Sequence, residues 1–194
     1  MLKFTRQDRE KVYGQKGAVL WLTGLPCSGK TTLATSLQSF LFRENILAYT
    51  LDGDQFRKGL SSDLNFSREG RKENIRRIGE TSKLFADAGF NAITAVISPF
   101  REDRENVRNI FDHIQFVEIF VDCPIEECEK RDIKGHYRRA RQGEIPQFTG
   151  VSSPYESPKN PEIWLKSDQE SVYECIKIIV NYLNKKKIIS SCEP

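Results

Sequence analysis

The feature that most restricts this chain is the stretch Gly24 to Thr32, GLPCSGKTT, directly after the apolar run AVLWLT. Gly24, Gly29, Lys30 and Thr31 fit the pattern GxxxxGK[ST]. In that pattern backbone N–H groups wrap a polyphosphate, the lysine reaches the β- and γ-phosphates, and the hydroxyl holds Mg2+. Leu25, Pro26, Cys27, Ser28 and Thr32 complete the loop. Glycine is needed where N–H groups converge with no Cβ in the way. A helix read over Thr31 to Phe42 adds the positive end of its dipole to the anion site. Such a loop needs a strand before it and a helix after it, so an α/β fold follows.

The rest of the chain supplies the same alternation. Four runs rich in β-branched and aromatic residues, AVLWLTG, ILAYTLDG, NAITAVIS and FVEIFVDC, read as strands. Between them lies helical periodicity, clearest over 68–89, where Ile75, Ile78, Ser82, Phe85 and Gly89 recur at three- and four-residue steps. Strands that are almost continuously apolar are buried on both faces, as in a parallel sheet covered by helices. A fifth strand at EIWLKS and a terminal helix over 169–185 complete a three-layer α/β/α sandwich with a mostly parallel five-stranded sheet. KKKIISSCEP reads as a frayed tail. The 194 residues are expected to form a single domain. The segment from about 134 to 161 breaks the alternation with four prolines and reads as an active-site lid or long loop.

Composition narrows the class further. With 38% hydrophobic and 29% charged residues, the chain is neither collagenous, disordered nor coiled-coil. A net charge of +3 is too small to imply nucleic-acid binding by itself. Five cysteines without a CxxC pair suggest neither a disulfide framework nor a zinc site, which fits a reducing, cytoplasmic setting. The charged opening MLKFTRQDREKVYG is unlike a secretory signal, and no apolar run approaches the roughly 20 residues a membrane helix requires.

A guanine-reading NKxD segment is absent, and FVEIFVDCP offers only the single Asp122 rather than the acidic pair of a motor ATPase. A small-molecule kinase is the better class. At the end of the second strand, DGDQFR places Asp52 and Asp54 at the carboxyl edge of the sheet, beside the strand that carries the phosphate loop, with Arg57 following. One carboxylate can orient an acceptor hydroxyl or hold Mg2+; equally, the pair can be an Asp-Gly turn with a cap. In FSREGRKENIRRIGE, Phe66 precedes a helix that Ser67 can cap, with Arg71 and Asn74 three apart on one face. They can stack a base and clamp an anion, or form a solvated basic face. In ISPF, Ile97 and Ser98 close the third strand, and Ser98-Pro99 reads as an N-cap followed by a first-turn proline.

Taken in order, GLPCSGKTT, LDGDQFRKGL, FSREGRKENIRRIGE, KLFADAG, ISPFREDR, KRDIKGHYRRARQGEIPQFTG and PYESPKNPE resemble the adenylyl-sulfate kinase family, in its stand-alone form, over about residues 15 to 185. The resemblance implies transfer of the γ-phosphoryl of ATP to the 3′-hydroxyl of adenosine 5′-phosphosulfate, giving 3′-phosphoadenylyl sulfate in sulfate assimilation. It also implies Mg2+ with ATP, a homodimer, and neither nucleic-acid nor membrane partners. At the matching positions Arg57, Phe66, Arg71 and Asn74 hold the acceptor nucleotide, with Ile97, Ser98, Lys134 and Phe148 around it, and Arg131 packs on the ATP adenine. Asp52 is the candidate for orienting or deprotonating the acceptor hydroxyl, Asp54 acts through Mg2+ and water, and Thr31 is the second metal ligand. Ser98 carries the family's phosphoserine label with little mechanistic weight, because direct in-line transfer is simpler. Lys130, Arg131, Arg138, Arg139 and Arg141 flank the lid, whose closure excludes water.

Departures from the family pattern are Pro26 and Cys27 in the loop, Gly70 in place of an acidic residue, Ile133 in place of proline, and Ser152-Ser153 in place of acidic residues. Cys27 reads either as a thiol of lowered pKa at a helix N-terminus or as a small shielded side chain. The competing readings are another P-loop small-molecule kinase and, from a different class, a nucleotide- or RNA-binding regulator using the basic helix at 68–77 and the lid arginines.

Overall fold

The computed structural model describes residues 4–189 and 192. In chain order the elements are α1 (Arg6–Tyr13), β1 (Ala18–Thr23), α2 (Lys30–Arg43), β2 (Ala48–Asp52), α3 (Gly53–Lys58), α4 (Arg68–Asp87), β3 (Asn91–Ala95), α5 (Arg101–Arg108), β4 (Gln115–Asp122), α6 (Ile125–Lys130), α7 (His136–Arg141), β5 (Ile163–Lys166) and α8 (Val172–Lys185). The five strands pair in the order β2-β3-β1-β4-β5, every pair parallel.

The pleat of β1 divides the core. Ala18, Leu20 and Leu22 face one layer with Leu33, Leu37 and Leu41 of α2 and Ile176, Ile179 and Leu183 of α8. Val19 and Trp21 face the opposite layer with Ile75 and Ile78 of α4 and Val107 of α5. Burying each large apolar side chain contributes roughly 1.5–3 kcal/mol, so both faces of the sheet are covered. The carboxyl ends of β1, β2 and β3 therefore open at one edge, where such sheets hold their ligands.

Several elements differ from the sequence expectation. β3 lies between β1 and β2, so the acidic turn does not sit beside the phosphate-loop strand. Helix α8 starts at Val172 rather than 169, because Ser171 and Glu174 form a reciprocal capping box there. α4 ends at Asp87, with Gly89 beyond it in a left-handed conformation. The tail is not frayed where it is described: Ile188 and Ile189 are buried in the α2–α8 core, and Asn184 Nδ2 donates to the Cys192 carbonyl at 2.7 Å. The remainder of that expectation, at 190, 191, 193 and 194, lies outside the described residues. Segment 134–161 contains α7, whose Tyr137 is buried against Phe148. Ser98 is not a helix cap: α5 begins after Phe100, and its first amide, Arg101 N–H, donates to Glu156 Oε2 at 2.9 Å.

Candidate active site

The phosphate loop joins β1 to α2 under tight steric control. A Cβ on Gly24 would lie 2.4 Å from the Val121 carbonyl and 2.8 Å from Ser28 Oγ, so only glycine lets the loop cross β4. Lys30 is turned back into the loop, its Nζ donating to the Leu25 carbonyl at 2.6 Å, with Ser28 Oγ at 3.4 Å. Burial lowers its pKa to about 8, against the opposing pull of Cys128, Cys27, Asp52 and Asp54. Ser167 Oγ ties the loop to the end of β5 by donating to the Ser28 carbonyl at 2.8 Å.

Asp52 closes β2 and serves two partners at once. Its Oδ1 accepts from the Asp54 amide at 2.8 Å and so caps α3, while its Oδ2 accepts from Thr31 Oγ1 at 2.9 Å. The cap and the chemical role, alternatives in the sequence, are thus compatible in one carboxylate. Asp54 projects outward, 82% exposed, with Lys134 Nζ 4.0 Å away. The carboxylate against Thr31 is therefore Asp52. Two hard oxygens this close suit Mg2+, which takes one or two protein ligands and completes its shell with phosphate oxygens and water. Among the described residues there is no cluster of three or more His, Cys, Asp or Glu that would make an all-protein metal cage.

Across the sheet edge, α3, α4 and segment 134–161 bring cationic and aromatic groups together. The Arg57 guanidinium lies over the Phe66 ring, 4.2 Å from its centroid, and donates to the Asn65 carbonyl at 3.2 Å. Arg71 donates to the Phe66 carbonyl at 2.9 Å, to Thr149 Oγ1 at 2.6 Å and to the Gln147 carbonyl. Burial first, and then the charge of Arg57, lowers the Arg71 pKa. Two guanidiniums that repel each other are a surface suited to an anion. Asn74, one turn further along α4, is buried with Oδ1 unpartnered among the described residues. Phe148 meets Tyr137 edge-on at 5.0 Å, and Tyr137 Oη donates to the Pro26 carbonyl at 3.0 Å, fastening the segment to the phosphate loop. Arg131, at the end of α6, bonds Glu127 and the Ser167 carbonyl.

Ser98 follows β3 with φ of 39°, a left-handed backbone that a non-glycine residue rarely adopts. Its hydroxyl is buried, accepting from Trp21 Nε1 at 3.1 Å and donating to Thr23 Oγ1 at 2.9 Å. Thr23 Oγ1 also lies 2.7 Å from the Ile97 carbonyl and 3.0 Å from Tyr155 Oη. Sequence reasoning missed Trp21, Thr23 and Tyr155: Trp21 and Thr23 read only as strand residues, and PYESP carried no chemical pattern of its own.

Residues 16–166 match the model of the adenylylsulphate kinase family. The chain belongs to that family. A probable adenylyl-sulfate kinase from Halalkalibacterium halodurans is 55% identical over 94% of this chain and 91% of its own. The Mycobacterium tuberculosis APS kinase CysC, solved with AMPPNP and APS, superposes with a TM-score of 0.85 at 41% identity, covering 88% of this chain and 99% of that one. A hexameric APS kinase from Thiobacillus denitrificans superposes with a TM-score of 0.69 at 29% identity, covering 94% of this chain and 31% of that one.

Set in this adenylylsulphate kinase frame, two departures acquire physical reasons. Gly70 lies in the first turn of α4 where a Cβ would be 2.5 Å from the Asn65 carbonyl, so the close approach of the chain at Asn65 requires glycine. Cys27 is not an activated thiol: burial, and then the charge of Asp132, raise its pKa, and Asp132 Oδ1 accepts its S–H at 3.9 Å. The half-buried Cys27 therefore fits the shielded side chain rather than the thiol of lowered pKa. Ile133 is fully exposed, and the structure gives no reason for it in place of proline. The basic stretch of α4 is internally neutralised, with Arg68 paired to Asp103, Arg76 to Glu73, and Arg77 to Asp63 and Glu73.

Proposed function

We propose that the chain transfers the γ-phosphoryl of ATP to the 3′-hydroxyl of adenosine 5′-phosphosulfate, giving 3′-phosphoadenylyl sulfate in sulfate assimilation. Family membership supports the reaction. The observations that carry it to this site are the bond from Thr31, at the end of the phosphate loop, to Asp52 and, on the following helices α3 and α4, the Arg57–Arg71 pair beside Phe66. A triphosphate and a sulfated nucleotide are both polyanions, and the second also carries a purine for an aromatic ring.

In this reading Gly24 through Thr32 cradle ATP, Lys30 neutralises its terminal phosphates, and Arg131 borders the adenine. Arg57, Phe66, Arg71, Asn74, Ile97, Ser98, Lys134 and Phe148 surround the acceptor. Bound Mg2+, held by Thr31 with Asp52 or Asp54, supplies neutralisation of the charge on the transferring group. Asp52 orients the acceptor hydroxyl and takes its proton. Ser98 takes part through its backbone, because its hydroxyl is already committed to Trp21 and Thr23. Transfer is accordingly direct and in line. The 194 residues act as one P-loop kinase domain with 134–161 as its lid.

The expected assembly is a homodimer; the hexameric Thiobacillus relative supports association in the family rather than this stoichiometry. Five free cysteines support a reducing, cytoplasmic setting. Among the described residues no helix is long and apolar enough to cross a membrane. The test incubates purified protein with Mg·ATP and adenylyl sulfate, AMP or a nucleic acid, and follows ADP release. Release with adenylyl sulfate alone is expected; release with AMP and none with adenylyl sulfate overturns the reading. Sedimentation of the same preparation measures the assembly.

A further inference from the structure

Arg104 of α5 is 3% exposed and lies outside every set of residues assigned above. Its guanidinium spends three donors in three directions. Nε donates to Glu118 Oε1 at 2.8 Å, Nη1 to the Ser98 carbonyl at 2.6 Å, and Nη2 to the Glu156 carbonyl at 2.6 Å. Glu118 on β4 is locked in turn, its other oxygen 3.4 Å from Arg108 Nη2, while Glu162 bridges Arg108 and the Glu118 amide. The fork is therefore fixed from the sheet side, and the two carbonyls hang from it.

These carbonyls belong to different parts of the site. Ser98 lies in the loop after β3, beside the proposed acceptor site, and carries the left-handed φ, a conformation that persists only where surrounding contacts over-determine it. Glu156 sits on the trailing arm of segment 134–161. That arm is sewn to the same loop by the Glu156 amide to the Pro99 carbonyl at 2.8 Å, by Glu156 Oε2 on the Arg101 amide, and by Arg101 Nε to the Ser157 carbonyl at 2.7 Å. Tyr155, next along the arm, reaches Thr23 at the end of β1.

We infer that Arg104 is a positioning residue for phosphoryl transfer, holding the acceptor loop at Ile97–Ser98 and the hinge of the lid at Tyr155–Ser157 in fixed register. This rests on the proposed reaction. A planar guanidinium with donors at fixed angles meets all three acceptors, whereas an ammonium on a flexible stem keeps the charge opposite Glu118 and cannot hold both carbonyls. Loss of the register falls on the acceptor, whose loop is displaced, more than on ATP, whose loop is built on β1 and α2.

The experiment compares Arg104→Lys with Arg108→Met, which weakens the same ion-pair network on its outer side and touches neither carbonyl. For Arg104→Lys the KM for adenylyl sulfate is expected to rise about tenfold or more, with the KM for ATP within about twofold of the parent. Arg108→Met keeps both values while losing stability. Hydrogen exchange, read without substrate, is expected to quicken in peptides covering 97–101 and 155–157 in Arg104→Lys and not in Arg108→Met. Equal rises in both KM values, an unchanged KM for adenylyl sulfate, or unchanged exchange in those peptides overturns the inference. If Arg104→Lys fails to fold, Glu118→Gln, which keeps an acceptor for Arg104 Nε and removes the charge that fixes the fork from the sheet side, must give the same split and the same exchange pattern. Inactivity of the parent with adenylyl sulfate defeats the proposed reaction instead, and leaves the exchange result to decide the role of Arg104.

Discussion

Thr31 Oγ1 donates to Asp52 Oδ2 at 2.9 Å, linking the first turn of the phosphate-loop helix to the end of a strand that is not its neighbour in the sheet. The bond sets the Asp52 carboxylate against the phosphate loop, where the proposed reaction would bring the triphosphate and an acceptor hydroxyl together. Asp52 is held from its other oxygen by the Asp54 amide, so its orientation is set by the backbone of α3.

Asp52→Asn keeps the shape and leaves an oxygen to accept from one of these donors, while removing the negative charge and the proton acceptor. Turnover is expected to fall by about 10²–10⁴-fold, with ATP affinity within a few-fold of the parent. Steady-state ADP release and equilibrium ATP binding measure the two. Turnover near the parental value removes Asp52 from the chemistry.

Lys30 predicts a pH dependence of nucleotide binding. Its pKa in the folded chain is about 8, below the ordinary 10.5, so the neutral amine becomes populated as pH rises through 8. Bound triphosphate favours the charged form, and binding near pH 8 is expected to take up about half a proton. ATP affinity then weakens toward higher pH. Calorimetry in two buffers of different ionisation enthalpy measures the uptake; identical heats after buffer correction contradict it. For folding the sign is opposite: between 8 and 10.5 the unfolded chain holds a proton that the native lysine has lost. This group therefore makes stability rise with pH across that window.

The sheet and the phosphate loop were legible because each rests on a local pattern: apolar runs for buried strands, and glycines where N–H groups converge. The order of strands was not, since no residue in β2 records that β3 will intervene. Tyr137 illustrates a second limit. Within an Arg-rich, Pro-rich stretch it looked like part of a loop, yet one buried ring and one bond to Pro26 turn that stretch into a packed helix. Ser98-Pro99 misled for a related reason. A short-range capping signal was overridden by long-range partners, Trp21 and Thr23 for the hydroxyl and Glu156 for the amide that begins α5.

Gly70→Glu installs the acidic residue that the family resemblance leads one to expect and is expected to destabilise this chain. The added Cβ meets the Asn65 carbonyl at 2.5 Å, an overlap that main chain alone must relieve. The cost is about 1–3 kcal/mol, set against a gain of up to about 1 kcal/mol from removing a helical glycine. Thermal melting at neutral pH decides the sign. A raised melting temperature shows that the chain at Asn65 gives way freely.

Thr149→Val tests how segment 134–161 is tethered. Arg71 Nη1 donates to Thr149 Oγ1 at 2.6 Å, and the valine keeps the shape while removing that acceptor. Arg71 retains the Phe66 and Gln147 carbonyls, so the fold is expected to lose only about 0.5–1.5 kcal/mol, or somewhat more for a charged donor. The segment itself opens more often, and trypsin is expected to cut faster after Arg138, Arg139 or Arg141 in the variant. Saturating adenylyl sulfate should close the difference if its anion takes the freed guanidinium. Cleavage rates equal to the parent, with and without acceptor, mean that Tyr137 on the phosphate loop holds the segment by itself and that Arg71 contributes no tether.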